Sequence, residues 1–315
     1  MGLAGCGMDD KRENRADRML NAMSVDVEEH FQVSGFESVV RRGTWESFPS
    51  RVEANTDRLL GLFEDAGISA TFFVLGWVAE RHPQIVRRIA ARGHEVASHG
   101  YSHKLVYNQT PAEFRHETTL SRRILQDTSG QPVLGYRAAS FSITHKSLWA
   151  LDVLAEAGFD YDSSLFPVLH DRYGLPGAPR RIHRLRTPAG HTLVEVPPST
   201  LALGRAILPM AGGGYLRLYP LRVTRWAIER LNRREGLPAV LYVHPWEVDP
   251  QQPRIRAPWL SRFRHYLGLS STTHKLRDLS RRYRFGPLRQ VIAESLPVEG
   301  EDSRSGAAAA PLGVR

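Results

Sequence analysis

An α/β fold built on a closed or nearly closed β/α barrel is what this sequence predicts, and three observations carry the prediction. Short apolar runs rich in Val, Phe and Ile alternate with amphipathic stretches, the pattern of parallel strands covered by helices. About seven such units occupy about 225 of the 315 residues, more than a short open sheet needs. No predicted strand is followed by G-x-G-x-x-G or G-x-x-x-x-G-K-[ST], which weighs against a doubly wound nucleotide fold.

The first strand is expected over 22–27, Ala-Met-Ser-Val-Asp-Val. A helix over 56–67 then sets Leu59, Leu60 and Phe63 on one face. Strand 70–75, a helix over 78–92, strand 94–99, a helix over 111–127, strand 133–137, a helix over 146–158 and strand 159–162 follow. Each helix ends at or near a Gly or a polar turn. Two further strands are expected at 192–196 and 239–244. Gly212, Gly213 and Gly214 fall in a long connection and read as a flexible loop rather than a phosphate cradle. After His244 the texture changes: 245–258 holds four prolines without a clear period, and 259–283 is arginine-rich and helical. The expected organisation is a disordered 1–18, a barrel at 19–248, a basic extension packed on it at 249–297 and a disordered tail at 298–315.

A composition of 42% hydrophobic and 24% charged residues excludes a collagen-like, low-complexity or wholly disordered chain. The single Cys6 cannot build an internal disulfide framework. No run of 18 apolar residues exists, so no transmembrane helix is expected. Residues 1–18 lack the basic and apolar regions of a secretory signal, and the lipobox-like Leu3-Ala4-Gly5-Cys6 has only two residues before it. The expected setting is the cytoplasm, with peripheral contact at the inner membrane. Net charge is +9, which suggests a polyanionic partner. Only four of the 42 basic residues are lysines, a skew that codon composition also produces. Over 217–289 there are 16 basic residues against 5 acidic, so the surplus sits in the extension, where it could grip an anionic glycan or a membrane surface.

Polar residues gather at the C-terminal ends of the predicted strands, where barrel enzymes place their active sites. The first strand runs through Asp26 into Glu28, Glu29 and His30, and acids entering a strand need a compensating charge such as a cation. His99 and His103, four apart, could present two imidazoles to one divalent ion, with a carboxylate completing a face. Arg137, Asp162 and His244 stand at three further strand ends. Each also has a plainer reading: a solvated turn, a chance pair among 13 histidines, a surface arginine, a helix cap or a structural histidine. Their co-occurrence on one barrel is the signal.

In order, Asp-x-Glu, His-x-x-x-His, Arg, Asp-Ser-Ser and a strand ending in His resemble the five sequential motifs of the polysaccharide deacetylases, carbohydrate esterase family four, with the NodB-homology fold. The resemblance runs from about Ala22 to Trp246. The phrases Ser-Val-Asp-Val-Glu-Glu-His-Phe, Ala-Ser-His-Gly-Tyr-Ser-His and Val-His-Pro-Trp-Glu are similar to one subgroup, associated with exopolysaccharide synthesis and exosortase-linked gene clusters, that carries a C-terminal extension. The resemblance implies a deformed (β/α) barrel of about seven parallel strands with a C-terminal helical extension. It implies metal-dependent hydrolysis of the acetamide of N-acetylated hexosamines in a bacterial exopolysaccharide or its precursor.

Residue by residue, the resemblance makes Asp26 the general base and Glu28, His99 and His103 the ligands of a divalent metal, zinc first among the candidates. Arg137 then holds the base, Asp162 orients His244 and raises its pKa, and His244 is the general acid. Tyr101, Phe141 and Trp246 are expected to bind substrate, with Tyr215 as a further aromatic. Three departures stand out. The acidic ligand is a glutamate separated from the base by Val27, which leaves Glu29 as an alternative to Glu28. Ala139 replaces the usual proline, which could loosen the Arg137 turn, and Phe166 replaces the usual tryptophan. Two other functions fit the residues: an amidase of a small non-polymeric substrate on the same metal site, and a non-enzymatic basic module binding glycan or nucleic acid. The second leaves the strand-end constellation unexplained, and no nucleic-acid partner is expected.

Overall fold

The computed structural model describes residues 19–170 and 172–296; the expectations for 1–18 and 298–315 lie outside the described residues. In chain order the elements are β1 (Asn21–Val27), α1 (Val52–Asp65), β2 (Thr71–Val74), α2 (Gly76–Arg81), α3 (Pro83–Ala91), β3 (Glu95–Ser98), α4 (Pro111–Ser129), β4 (Gly135–Tyr136), α5 (Trp149–Glu156), β5 (Tyr161–Asp162), β6 (His183–Arg186), β7 (Thr192–Glu195), β8 (Thr200–Leu203), β9 (Ala206–Pro209), α6 (Gly214–Leu218), α7 (Leu221–Glu229) and β10 (Val240–Val243). The extension adds α8 (Trp259–Tyr266), α9 (Leu269–Arg282), β11 (Phe285–Gly286) and α10 (Leu288–Ser295). Short 3-10 turns, and a π turn after α7, fill several of the connections.

The main sheet runs β10-β1-β2-β3-β4-β5-β7-β6, with β11 also pairing β1. All pairings are parallel except that of β6 with β7. The seven strands read from the sequence are β1, β2, β3, β4, β5, β7 and β10, and they form the continuous parallel part of this sheet. The sheet curls into a half-barrel instead of closing. The free edge of β10 is satisfied by irregular chain: Ser199 N–H donates to Val240 O (3.2 Å), and Val240 N–H donates to Ser199 Oγ (2.7 Å). Gly212 bridges to Tyr242 beside it. The glycine run is therefore packed rather than flexible, because a Cβ on Gly212 would stand 1.9 Å from Tyr242 O.

Local chemistry explains the elements. β1, β2 and β3 are buried along their whole length, as central strands covered on both faces must be. α4 opens on a capping box, with Thr110 accepting from Glu113 N–H while the Glu113 carboxylate accepts from Thr110 N–H. It ends on left-handed Gly130. The single helix expected over 78–92 is two, because Pro83 has no N–H to continue the first and starts the second. At Gly135 a side chain would run into the Tyr161 ring, with a Cβ 2.1 Å from its nearest carbon, so a glycine is what lets β4 pair with β5 in this register. β6 and β7 form a hairpin, as do β8 and β9.

The core is continuous under the helices, from Met23, Val25 and Val27 of β1 through Leu59, Phe63, Phe72 and Leu151 to Leu276, Leu279 and Phe285 of the extension. Since the strands are parallel, the residues that end β1, β3, β4, β5, β7 and β10 meet at one end of the sheet.

Candidate functional site

Asp26 sits one residue before the end of β1, and its Oδ1 takes a hydrogen bond from Arg137 Nη1 at 2.7 Å. Arg137 is fully buried just past β4. It also donates to Ser24 Oγ (2.8 Å), Ser163 O (3.3 Å) and Ser163 Oγ (2.9 Å), and it stands over the Phe73 ring at 4.2 Å. A buried guanidinium needs this many acceptors to offset its lost hydration. Its turn is pinned despite Ala139, since Ala138 N–H donates to Ser164 Oγ at 2.8 Å and Ser34 Oγ meets Ser140 Oγ at 2.8 Å.

Glu28, His99 and His103 are buried together, with one ligand atom of each within 4.8 Å of the other two. His99 Nδ1 is paired with Arg137 O at 2.8 Å, which leaves its Nε2 for a ligand. Burial holds the His99 imidazole down at about 4, so it is neutral. Burial alone would raise the Glu28 carboxyl, but His103, His244 and His99 outweigh it and hold Glu28 at about 2. Glu28 Oε2 lies 2.7 Å from His103 Nε2, yet no donor satisfies it in hydrogen-bonding geometry. An ionised, buried oxygen without a donor, beside two imidazoles, is what a cation would complete. Glu29 is occupied elsewhere: its carboxylate accepts from Ser50 Oγ (2.5 Å), Arg51 N–H (3.0 Å) and Val52 N–H (3.2 Å), anchoring the start of α1.

His244 follows β10. Its Nε2 lies 3.9 Å from Asp26 Oδ2 and 3.8 Å from Glu28 Oε1. The acid that orients it is not Asp162. His244 Nδ1 meets Glu247 Oε1 at 2.5 Å, and Glu247 Oε1 also accepts from His244 N–H at 3.1 Å. Burial would lower the imidazole, but Glu247 first, then Glu28 and Asp26, raise it to about 9. Glu247 is paired in turn with buried Arg217, whose Nε donates to its Oε2 at 2.8 Å. Arg217 is fastened to the extension by donating to the carbonyls of Arg264 (3.1 Å), His265 (2.6 Å) and Leu267 (2.8 Å).

Asp162 turns to its own loop. It accepts from Ser164 Oγ (2.5 Å) and Ser164 N–H (3.2 Å), and it shares a hydrogen bond with Glu195 at the end of β7. Burial raises Asp162 to about 6 and lifts Glu195 well above the carboxylate range, with Asp162 adding to the rise. Burial thus favours the protonated form of both carboxyls, and a proton held by one can be donated to the other. They brace β5 against β7 instead of serving His244.

Asp26, Glu28, His99, His103 and His244 border a cleft of about 500 Å³. Phe141 forms part of its wall with Tyr173 and Tyr242, backed by Phe166, and half-buried Tyr215 lies on its rim. Trp246 is not the open platform expected. It is buried between the rings of His244 (4.9 Å) and His265 (4.1 Å), and its Nε1 donates to Glu28 Oε1 at 3.1 Å. Tyr101 is outside the cleft: its hydroxyl donates to Glu80 at 2.7 Å and its ring closes over Gly76. Among the described residues the non-glycine positions with positive φ are His103, Ser140 and Phe141. All three line the cleft, and such left-handed backbone concentrates at functional sites. Sequence reasoning missed Glu247, Arg217 and Glu195. Glu247 had a signal, since the spacing His-Pro-Trp-Glu is that of a one-turn cap.

Residues 43–161 match the family model described as polysaccharide deacetylase, and residues 163–293 match a domain of unknown function (DUF3473). Asp26 and Glu28 precede both matches, while His99, His103 and Arg137 fall in the first and His244, Glu247 and Arg217 in the second. A peptidoglycan-N-acetylglucosamine deacetylase of Bacillus cereus is 29% identical over 148 residues, 43% of this chain and 52% of that protein. A chitooligosaccharide deacetylase of Bradyrhizobium sp. is 32% identical over 100 residues, 32% of this chain and 43% of that protein. The chain thus spans about half the length of these curated relatives. A solved structure from Mycobacterium smegmatis, described as a candidate polysaccharide deacetylase, shares the fold with a TM-score of 0.56 at 21% identity, over 87% of this chain and 90% of that one.

Proposed function

Since the chain carries a domain of the polysaccharide deacetylase family, we propose that it hydrolyses the acetamide of N-acetylated hexosamine units in a bacterial exopolysaccharide or its precursor. The products are acetate and the free sugar amine. One observation carries the reading: the Asp26–Arg137 pair, the Glu28/His99/His103 group and the His244–Glu247 pair converge on one cleft.

Glu28, His99 and His103 would hold a divalent cation, which when bound supplies Lewis acidity to the amide carbonyl and acidifies water. Two imidazoles and one carboxylate suit zinc and leave room for substrate. Asp26, fixed by Arg137 through Oδ1, has Oδ2 on the His244 side to accept the proton of the attacking water. His244, kept protonated by Glu247, delivers a proton from Nε2 to the amide nitrogen as the carbon–nitrogen bond breaks. Trp246 steadies Glu28 against the pull of the three neighbouring imidazoles. Phe141 and Tyr215 offer apolar and aromatic surface to a sugar ring.

The test is acetate release from an N-acetylglucosamine oligomer, with metal analysis of the purified chain. Release should require added divalent cation, and His99→Ala should lose both bound metal and activity. Hydrolysis undiminished by a chelator and by that substitution would overturn the reading.

A further inference from the structure

Beside the cleft, α8 presents an apolar face to solvent. Trp259 is 75% exposed, Phe263 54% and Leu260 42%, and Leu218 at the end of α6 is 55% exposed. Leu218, Leu260 and Phe263 all line the mouth of the cleft. At about 100° per residue, Trp259, Phe263 and Leu260 share one arc of α8, opposite the face on which His265 is buried. Exposed Arg262 and Arg264 fall on the two flanks of that arc.

The charge of its own segment is one-sided. From Pro250 to Arg277 there is no Asp or Glu, while Arg254, Arg256, Arg262, Arg264 and Arg277 are exposed. An apolar stripe with a Trp at its edge, flanked by arginines on a helix that carries no acidic residue, is the makeup of a helix that lies in a membrane interface. A sugar platform would instead set aromatic rings among polar hydrogen-bonding groups, and Leu218 and Leu260 offer neither ring nor polar atom. No helix among the described residues is long and apolar enough to cross a membrane.

We propose that α8 docks on the surface of an anionic bilayer, with Trp259, Leu260, Phe263 and Leu218 entering the headgroup boundary and Arg262 and Arg264 meeting lipid phosphates. The cleft mouth, whose rim includes three of those apolar residues, then opens at the membrane, and its glycan is taken from there. This last step rests on the deacetylase reading; the docking does not. The basic residues Arg281, Arg282 and Arg284, at and just past the far end of α9, are not needed for it.

The experiment is sedimentation of the full, metal-free chain with vesicles of equimolar phosphatidylglycerol and phosphatidylcholine, compared with phosphatidylcholine alone. Binding is expected to the anionic vesicles and to be lost at about 1 M salt, where screening shrinks to about 3 Å. Trp259→Ser should weaken partition about tenfold. Arg262→Glu should weaken it about fivefold or more. Both positions are exposed, and an unchanged melting curve shows that the variants fold. Failure to bind anionic vesicles, or binding by the two variants as tight as that of the native chain, overturns docking by α8. Self-association abolished by Trp259→Ser without vesicle binding would also overturn it, assigning the face to a second copy. Since no hydrolysis is measured, these outcomes are independent of whether the deacetylase reading stands.

Discussion

At the scale of single residues, the structure moves the partner of His244. The sequence invites Asp162, a carboxylate at a neighbouring strand end, but that group is turned toward Ser164 and Glu195. Glu247 reaches His244 because Pro245 starts a single 3-10 turn that folds the chain back, so the carboxylate meets both the ring and the backbone N–H of the residue that opens it. The sign of the consequence is clear. Burial lowers the imidazole, and Glu247 is the largest of the influences that raise it to about 9. A group acting as general acid works below its pKa, so the alkaline limb of kcat/KM should lie near 9 in the native chain. Glu247→Gln removes the charge and leaves the burial, so that limb should move to lower pH while the acid limb stays in place. Acetate release measured across pH checks it; an unmoved alkaline limb would show that Glu247 only shapes the turn. The rest of the constellation was legible in position, because Asp26, Glu28, His99, Arg137 and His244 lie in or just past strands whose apolar runs were visible, with His103 four residues beyond His99. What was not legible is which carboxylate faces which ring, a matter of turn geometry rather than of strand order.

At the scale of elements, the same distinction explains which strands were foreseen. β1, β2, β3 and β10 bury both faces, and the sequence around them reads as apolar runs, as in Thr-Phe-Phe-Val of β2. β6, His-Arg-Leu-Arg, has one apolar residue, and β11 is two residues long, so their pairing is decided by the strand they join. β5 and β7 are held partly by a feature that no periodicity shows, the buried pair of Asp162 and Glu195. Because burial lifts Asp162 from 3.8 to about 6, the folded chain binds that proton more tightly than the unfolded chain. Its contribution to stability therefore declines as pH rises from 3.8 through about 6. Glu195→Gln supplies an N–H donor without needing a proton, and should leave stability at neutral pH unchanged or improved. Glu195→Ala leaves Asp162 and Leu165 N–H short of a partner and should cost about 1–3 kcal/mol. Urea unfolding of both variants at neutral pH decides the matter. A Gln variant as damaged as the Ala variant would mean that the pair is not proton-sharing.

At the scale of the whole molecule, the extension after residue 248 behaves as part of the half-barrel. Two buried cations tie it in reciprocally. Arg217 donates to the carbonyls of Arg264, His265 and Leu267, and Lys275 of α9 donates to those of Leu216 (3.0 Å), Arg217 (2.9 Å) and Tyr219 (2.8 Å). Gly268 lets the two backbones close up, since a Cβ there would stand 2.9 Å from Arg217 O. Some of the basic surplus that suggested a polyanion partner is thus spent on carbonyl groups inside the protein. Beyond this joint, β11 pairs with Asn21 and Ala22 of β1, and Leu276, Leu279 and Phe285 sit in the main core. A chain ended at residue 248 would keep Glu247 beside Arg217 but lose the three carbonyls that take the other N–H groups of the guanidinium, together with the Lys275 tie to Leu216, Arg217 and Tyr219. It would also expose the apolar surface under α9. Such a chain should lose its cooperative melting transition, whereas residues 19–296 should keep it and, with it, the Glu247–Arg217 support of His244. Calorimetry of the two chains tests this: a truncated chain that melts cooperatively near the temperature of the longer one would show that the extension is an appendage after all.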